Sequence, residues 1–216
     1  NPVRSAIAAL SQETYRSPGD RDPFRLLVFG GSQGARVLSQ ILPQALRHLP
    51  HPARRRLVVE QQCRHEDLDG VRAAYDEMGV EATVATFFED MDVRLASAHL
   101  VISRSGASTI AELAAAGRPA MLVPYPHATD DHQSANARAV EAAGAGWLMP
   151  EEAFSGEALA ARLETFLASP MALVEAAAAA RRFARPDAAS TLADAIDRLT
   201  GTNGHHGGPE LREQAA

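Results

Sequence analysis

Cysteine is almost absent from this sequence, and long apolar runs are missing. Cys63 is the single cysteine in 216 residues, so no disulfide can form within the chain. A lone cysteine is typical of a reducing compartment and is a poor candidate for a metal ligand. No apolar run approaches the roughly 20 residues that a membrane-spanning helix needs, and no secretory signal begins the sequence. These absences argue against a disulfide-stapled secreted scaffold and a transmembrane chain.

Excess positive charge is also lacking. The formal net charge is -6, which argues against a nucleic-acid-binding surface. Hydrophobic residues make up 46% and charged residues 22%, as in ordinary globular proteins. The length fits one large domain or two small ones. The sequence begins at Asn1 without methionine, so we expect a fragment or a processed chain.

Short apolar segments alternate with helical patterns along most of the chain. This alternation predicts an α/β fold, a Rossmann-like parallel sheet of about six strands with helices on both faces. Pro43 is expected to kink or end the first long helix. After Pro150 only helices are expected, at 155–168, 171–184 and 187–199, and the polar segment 200–216 is predicted to be disordered. The predicted strands are residues 24–29, 56–60, 82–87, 99–103, 119–123 and 146–149.

A glycine-rich loop follows the first predicted strand, with the sequence GGSQG at 30–34. As a phosphate loop, it would clear space with its glycines, and Ser32 would donate its hydroxyl and N–H to an oxyanion. The same letters satisfy the G-x-S-x-G elbow of a serine hydrolase, but no separate acid and histidine follow in the required order. The spacing is not the G-x-G-x-x-G of a dinucleotide fold. Phosphate binding is therefore the favoured interpretation.

A second small-residue turn, SGA at 105–107, lies between the fourth predicted strand and a helix. A helix start of this kind offers free N–H groups to a phosphate. Glu112 lies little more than one turn further on, where a carboxylate would repel phosphate but could accept hydrogen bonds from both hydroxyls of a ribose. Loops at the carboxyl ends of parallel strands are where ligands bind. The two loops together predict a nucleotide site.

A third polar cluster, DDHQ at 130–133 with Asn136 one turn later, begins another helix. Its amides, acids and imidazole suit recognition of sugar hydroxyls, although either acid could simply cap the helix. Asp-x-Asp pairs occur at 20–22 and 90–92. Helix capping and solvation explain both pairs, so neither metal nor cofactor is expected.

These motifs together resemble a known family. The sequence NPVR at 1–4, GGSQGA at 30–35 and the long segment from Ser103 to Gln133 are similar to the bacterial peptidoglycan glycosyltransferases of family 28. The resemblance covers 1–199 and implies a GT-B enzyme, built of two Rossmann-like halves. This chain would be its C-terminal, donor-binding half, with 1–23 as an interdomain lead-in and 24–199 as the donor domain.

The resemblance also implies roles for single residues in binding UDP-N-acetylglucosamine. Arg4 and Ser32 match positions that bind the donor's phosphates, and Gln33 follows in the same loop. Phe88 matches a position whose backbone reads uracil. Glu112 matches the residue that binds ribose.

The remaining matched positions concern the transferred sugar. The helix start Ala107, Ser108 and Thr109 matches the segment that touches the sugar and the α-phosphate. Gln133 matches the residue that recognises the hydroxyls of N-acetylglucosamine, with His132 beside it. The resemblance therefore adds a base and a sugar to the nucleotide site that the residues themselves indicate.

The same resemblance implies a hexosyltransferase that acts in peptidoglycan synthesis. N-acetylglucosamine would pass to undecaprenyl-pyrophosphoryl-N-acetylmuramyl-pentapeptide, converting lipid I to lipid II at the cytoplasmic face of the membrane. The lipid acceptor, the membrane contact and the general base would belong to an N-terminal domain absent before Asn1, so the chain alone is expected to be inactive. Other GT-B enzymes (a lipid glucosyltransferase or UDP-sugar epimerase), a non-catalytic nucleotide-binding module and a hydrolase using Ser32 stay open as alternatives.

Overall fold

Six strands form one sheet in the computed structural model, which describes residues 1–31 and 35–200. All neighbouring strands are parallel, and their order is β3-β2-β1-β4-β5-β6. This arrangement confirms the predicted Rossmann-like parallel sheet. The strands are β1 (Phe24–Phe29), β2 (Leu57–Gln62), β3 (Glu81–Ala85), β4 (Leu100–Ser103), β5 (Ala120–Leu122) and β6 (Gly146–Leu148).

Helices follow almost every strand. Backbone contacts divide the chain into two units, Asn1–Pro186, which holds the sheet, and Asp187–Ala216. The predicted tail lies, apart from Thr200, outside the described residues. The helices are α1 (Ser5–Ala9), α2 (Arg36–His48), α3 (His51–Arg54), α4 (Leu68–Met78), α5 (Met91–Ser97), α6 (Ala107–Ala116), α7 (His132–Ala142), α8 (Gly156–Ala168), α9 (Met171–Phe183) and, in the second unit, α10 (Ala188–Thr200).

The sheet has a buried core on each face, as the nearly continuous apolar strands predict. Successive side chains of β1 point to opposite faces. Leu26 and Val28 pack with α2, α4 and α8, whereas Leu27 and Phe29 pack with α1, α5 and α6. Helices therefore cover both faces, and the second face is the one on which the chain's first residues lie.

The second strand is longer than its sequence suggests. Gln61 and Gln62 interrupt the apolar pattern, yet both are buried and extend β2 in register with β3. The Tyr75 hydroxyl donates to Oε1 of Gln61, and Nε2 of Gln62 donates to the Thr86 carbonyl at 3.1 Å. These bonds give each buried amide one partner, while Nε2 of Gln61 has none among the described residues.

Of the two effects expected of Pro43, a kink or an end near Leu42, the end is wrong. α2 continues through Pro43 to His48. A proline has no N–H for the helical bond to Ser39, but Leu42, Ala45 and Leu46 are fully buried in the core. Tertiary packing of this face holds the helix together across the proline.

No single helix in the described residues is long and apolar enough to span a membrane. The bent pair Gly156–Ala168 and Met171–Thr200, with an angle of 94° at the break, passes the same test on length and composition alone. In α8 the apolar side chains Leu159, Leu163 and Phe166 are buried in the core.

Candidate functional site

The strand order reverses between β1 and β4, which is the point where open parallel sheets bind ligands at their carboxyl edge. Phe29 pairs with Ser103, so the two predicted phosphate loops leave the sheet side by side. Gly31 has φ of 83°, in the left-handed region that favours glycine. Ser32 and Gln33 lie outside the described residues, so their phosphate-binding role stays a prediction.

The start of α6 is open to a ligand. Gly106 precedes the helix in an extended conformation, and no side chain caps the first turn. Ala107 and Ser108 are exposed and Thr109 is half-buried. The N–H of Ile110 is bonded back to the Gly106 carbonyl at 3.0 Å, which leaves the preceding N–H groups directed outward. An oxyanion would find both hydrogen-bond donors and the positive end of the helix dipole here.

The turn before α6 is tied to the start of α7. Ser105 is fully buried, and its hydroxyl donates to the Gln133 carbonyl at 2.8 Å. Nδ2 of Asn136 donates to the Ser105 carbonyl at 3.0 Å. The Asn136 amide, grouped with the sugar residues on sequence, therefore joins two loops. These bonds fix the position of the predicted sugar loop relative to the predicted phosphate turn.

Arg4 and Glu112 form a bidentate ion pair in the structure. Nε of Arg4 lies 2.7 Å from Oε1 of Glu112, and Nη2 lies 3.0 Å from Oε2. The Glu112 side chain is only 18% exposed, and its hydrogen bonds raise the pKa of Arg4. The sequence assigned the two residues to different parts of one ligand, and the structure brings them together. A ribose would have to share or replace these contacts to reach the carboxylate.

Phe88 is buried below the same region. Its ring packs in one cluster with Ile7, Phe29 and Ile110, so it lies among α1, β1 and α6. The Arg94 guanidinium sits 3.8 Å from the ring centroid. The side chain of Phe88 is therefore occupied by core contacts, and the predicted reading of uracil by its backbone stays a prediction.

Arg94 is itself held by two carboxylates. Nη1 lies 2.7 Å from Oε1 of Glu60, and Nε lies 2.8 Å from Oδ1 of Asp90, one helical turn away. Hydrogen bonding by Arg94 lowers the pKa of Asp90.

The Asp-x-Asp pair at 20–22 has a local hydrogen bond. Asp22 accepts the Gly19 N–H at 2.9 Å. Among the described residues, no group of three or more histidine, cysteine or acidic side chains is placed to hold a metal.

His132 and Gln133 present polar atoms from the start of α7. Oε1 of Gln133 accepts the Tyr125 N–H at 3.0 Å, which orients the amide and turns its NH₂ outward. Nδ1 of His132 lies 2.6 Å from the Thr129 carbonyl, which can only accept. The ring proton therefore resides on Nδ1, and Nε2 is left as an acceptor. The pair offers one donor and one acceptor, as adjacent sugar hydroxyls require.

The backbone before His132 is strained. Asp130 and Asp131 both have φ of 51°, which is uncommon for residues other than glycine. The Ser134 hydroxyl and the Arg138 guanidinium keep the pKa of Asp131 below its ordinary value. Strain of this kind persists where the surrounding structure imposes it, and it often accompanies ligand-binding loops.

Arg104 is a site residue that the sequence analysis missed. Its Nη1 donates to the carbonyls of Val123 and Pro124, at 3.1 and 2.9 Å, and it pairs with Glu151. Its guanidinium lies 5.3 Å from the Tyr125 ring. Arg104 therefore holds the two residues that follow β5, and Tyr125, directly after them, contacts Gln133. An arginine between a buried strand and a small-residue turn was the available signal.

The parallel sheet, its reversal between β1 and β4, and the helices on both faces define a Rossmann-like α/β domain. Residues 25–198 match the glycosyltransferase family 28 C-terminal domain. The chain belongs to this family.

Relatives of known name support the same conclusion. The chain is 54% identical over 195 residues to the UDP-N-acetylglucosamine--N-acetylmuramyl-(pentapeptide) pyrophosphoryl-undecaprenol N-acetylglucosamine transferase of Paramagnetospirillum magneticum, covering 90% of this chain and 53% of that protein. It is 51% identical over 216 residues to the enzyme of the same name from Rhodospirillum centenum, covering all of this chain and 57% of that protein. The chain thus spans about half the length of these relatives.

Solved structures agree on the fold. The crystal structure of Acinetobacter baumannii MurG is similar with a TM-score of 0.74 at 35% identity, over 86% of this chain and 55% of that one. A UDP-N-acetylglucosamine 2-epimerase from Listeria monocytogenes has a TM-score of 0.60 at 16% identity, over 94% of this chain and 54% of that one. The second likeness concerns the fold alone.

Proposed function

We propose that this chain is the donor-binding half of an inverting glycosyltransferase. The whole enzyme would move N-acetylglucosamine from its UDP donor to undecaprenyl-pyrophosphoryl-N-acetylmuramyl-pentapeptide. The names of the relatives with about half of their residues identical support this donor and acceptor. The observation within the chain that carries the proposal is the position of Glu112 and Arg4 beside the open start of α6.

In this proposal the uridine diphosphate lies across the carboxyl edge of the sheet. The N–H groups at Ala107, Ser108 and Thr109 bind the phosphate next to the sugar, together with the predicted loop of Ser32 and Gln33. The backbone at Phe88 reads the base. The fold directs the N–H groups at the start of α6 outward, which supports the phosphate contact.

Donor binding would exchange the partner of Arg4. The ribose hydroxyls take the Glu112 oxygens that Arg4 holds at 2.7 and 3.0 Å. The guanidinium, more than half exposed, then turns to the diphosphate. Because the carboxylate is neutralised before donor binding, the site avoids leaving a partly buried charge unpaired.

The sugar would lie against the start of α7. The outward NH₂ of Gln133 donates to one hydroxyl, and Nε2 of His132 accepts from another. Arg104 and Ser105 keep this loop in place through main-chain contacts. Fixed donors and acceptors of this kind discriminate strongly among sugars, because a wrong partner leaves a polar group unsatisfied.

Transfer would proceed by direct displacement at the anomeric carbon. The acceptor hydroxyl attacks as UDP leaves, and Arg4 with the α6 helix start stabilises the charge that develops on the diphosphate. The general base, the lipid site and the peripheral membrane contact belong to the partner half of the whole enzyme. That enzyme would work at the cytoplasmic face of the plasma membrane, and this chain alone would bind donor without transferring sugar.

Calorimetric titration with UDP-N-acetylglucosamine, UDP-glucose and NADH tests the proposal. We expect binding of the first, weaker binding of the second and none of NADH. Circular dichroism establishes that the sample is folded. A folded chain that binds no uridine nucleotide, or one that synthesises lipid II alone, would contradict the proposal.

Two alternative functions predict different experimental results. A hydrolase would be labelled at Ser32 by an organophosphate, whereas a phosphate loop would not. A non-catalytic nucleotide module would bind UDP, but transfer would not appear when an N-terminal half from a relative is added. Recovery of transfer in that mixture would favour the proposed enzyme.

A further inference from the structure

A polar cavity lies at the amino edge of the sheet, opposite the proposed nucleotide site. It has a volume of about 460 Å³, within the range of small-molecule pockets. It is bounded by the segment between α1 and β1, the end of α5, and the residues that precede β4 and β5. The side chains that matter here are Glu13, Arg16, Arg25, His99 and Arg118.

Arg118 is buried without a carboxylate partner. It is 2% exposed, and it donates through Nε and Nη2 to the carbonyls of Leu95 and Ala96 at the end of α5. Among the described residues, no acceptor contacts its Nη1. Burial is costly for a guanidinium and is the main cause that lowers the pKa of Arg118; repulsion from Arg181 adds to it, whereas Glu13 and Tyr15 act in the opposite direction. An anion in the cavity would offset both the cost of burying the charge and the repulsion from Arg181.

His99 adds a neutral donor to the same wall. Its Nδ1 accepts the Arg25 N–H at 2.9 Å, so the ring proton must reside on Nε2. Burial and the two nearby arginines lower the pKa of His99 to about 4, which keeps the ring neutral. No acceptor contacts Nε2 within the part of the chain that the structure describes. The imidazole therefore offers an N–H.

Two exposed arginines complete the rim. Arg16 and Arg25 line the cavity, and their guanidinium groups have no ion-pair partner among the described residues. Glu13 is the single carboxylate of the lining, so three guanidinium groups face one acid. Asp22 also influences His99 but does not line the cavity. The wall is rich in donors and poor in acceptors.

We propose that this amino-edge cavity, lined by Arg16, Arg25, His99 and Arg118, binds a phosphate-class oxyanion separately from the nucleotide site. Guanidinium groups match the geometry of phosphate oxygens, and several together give both charge and hydrogen bonds. The neutral Nε2–H of His99 and the free Nη1 of Arg118 supply the inner contacts.

Titration of the 216-residue chain with inorganic pyrophosphate at low ionic strength tests this site. We expect saturable binding that Arg16→Gln and Arg25→Gln each weaken about tenfold, the loss of one charge-assisted hydrogen bond. Arg162→Gln is the control, since it removes the same charge from an exposed position on α8. The two rim arginines are exposed, so these variants should fold.

Nuclear magnetic resonance of the histidine rings locates the binding. The His99 signals, assigned by their loss in His99→Gln, should shift with the same saturation curve as the calorimetry. If pyrophosphate binds only at the start of α6, the His99 signals do not shift. Unmoved His99 signals, no saturable binding, or equal weakening by Arg162→Gln would each overturn the proposal, whether or not the chain binds UDP.

Discussion

The two edges of the sheet handle charge in different ways. At the carboxyl edge the key arginines are paired with acids: Arg4 with Glu112, and Arg94 with Glu60 and Asp90. At the amino edge Arg118 is buried against two carbonyls and the Tyr15 ring, without an ion pair among the described residues. One edge carries balanced charges and the other an uncompensated positive charge.

The difference follows from what parallel strands place at each edge. Helices begin at the carboxyl edge, so backbone N–H groups are available there for an anion and side chains are free for other tasks. Helices end at the amino edge, where unpaired carbonyls must be satisfied. Arg118 donates to such carbonyls at the end of α5, and its positive charge therefore lies at this edge. Positive charge at this edge therefore originates in the need to cap a helix.

Glycine substitutions should give the largest difference in stability between the two edges. Gly117, at the amino edge, has φ of 61°, and an added Cβ would lie 2.6 Å from Nε of Arg181. Gly31, at the carboxyl edge, has φ of 83° but no described atom within 4 Å of such a Cβ. Gly117→Ala should lower the free energy of unfolding by about 2–4 kcal/mol, and Gly31→Ala by about 1 kcal/mol.

Urea denaturation of both glycine variants measures this contrast. Both variants add the same methyl group at a left-handed residue, so their difference isolates the contact with Arg181. Equal losses would mean that Arg181 moves aside freely and that the amino edge is not tightly packed at this point.

The second largest effect is expected when the Glu112 carboxylate is removed, and it concerns nucleotide binding. Glu112→Ala is expected to weaken UDP binding by about 1–3 kcal/mol, because a charge-assisted hydrogen bond to ribose is lost. Glu13→Ala removes a carboxylate from the other edge and should leave UDP affinity unchanged, while it tightens pyrophosphate binding in the amino-edge cavity. Calorimetry with each ligand gives both results. Unchanged UDP affinity in Glu112→Ala would remove the basis for the ribose assignment.

Much of this architecture could be predicted from the sequence because buried parallel strands are apolar and end at small-residue turns. β1 is predicted at its observed bounds, Phe24–Phe29. Local pattern fails where tertiary contacts decide. Gln61 and Gln62 lie in β2, where distant groups bond one atom of each amide, and α2 continues through Pro43 because its apolar face is buried.

The site was predictable only in part. Sequence placed Glu112 and Gln133 near one ligand, but it gave no sign that Arg4 and Glu112, 108 positions apart, meet in a bidentate pair. Arg104 was missed because its role depends on carbonyls at the end of another strand. The amino-edge cavity could not be predicted either, because its residues come from four separate segments. Contacts between distant segments carry little local signal.

A pH effect should reveal the environment of His99. Burial, Arg25 and Arg118 lower its pKa to about 4, while Asp22 acts in the opposite direction. Above about pH 6.5 the ring is neutral in both the folded and unfolded states. As the pH falls from 6.5 towards 4, only the unfolded state takes up the proton, so stability is lost across this window.

The expected loss is about 1–2 kcal/mol, less than the full shift implies because the ring is partly exposed. Free energies of unfolding at pH 7 and pH 4.5 measure it. His99→Gln should flatten this part of the pH dependence. If saturating pyrophosphate binds the amino-edge cavity, it should add stability in the parent chain and less in Arg25→Gln, which connects the histidine to the proposed ligand.

The smallest expected effect concerns Gln133 and donor selectivity. Oε1 of Gln133 is held by the Tyr125 N–H, so its NH₂ has a fixed direction and one task, donation to the sugar. Gln133→Ala should therefore reduce the preference for UDP-N-acetylglucosamine over UDP-glucose by about 1 kcal/mol, the usual net value of one hydrogen bond. Affinity for UDP itself should stay constant, because the nucleotide contacts lie at α6. Calorimetry with the three ligands separates these terms. A fall in UDP affinity with unchanged sugar preference would show that the Gln133 side chain acts by holding the Tyr125 N–H, and not by donating to the sugar.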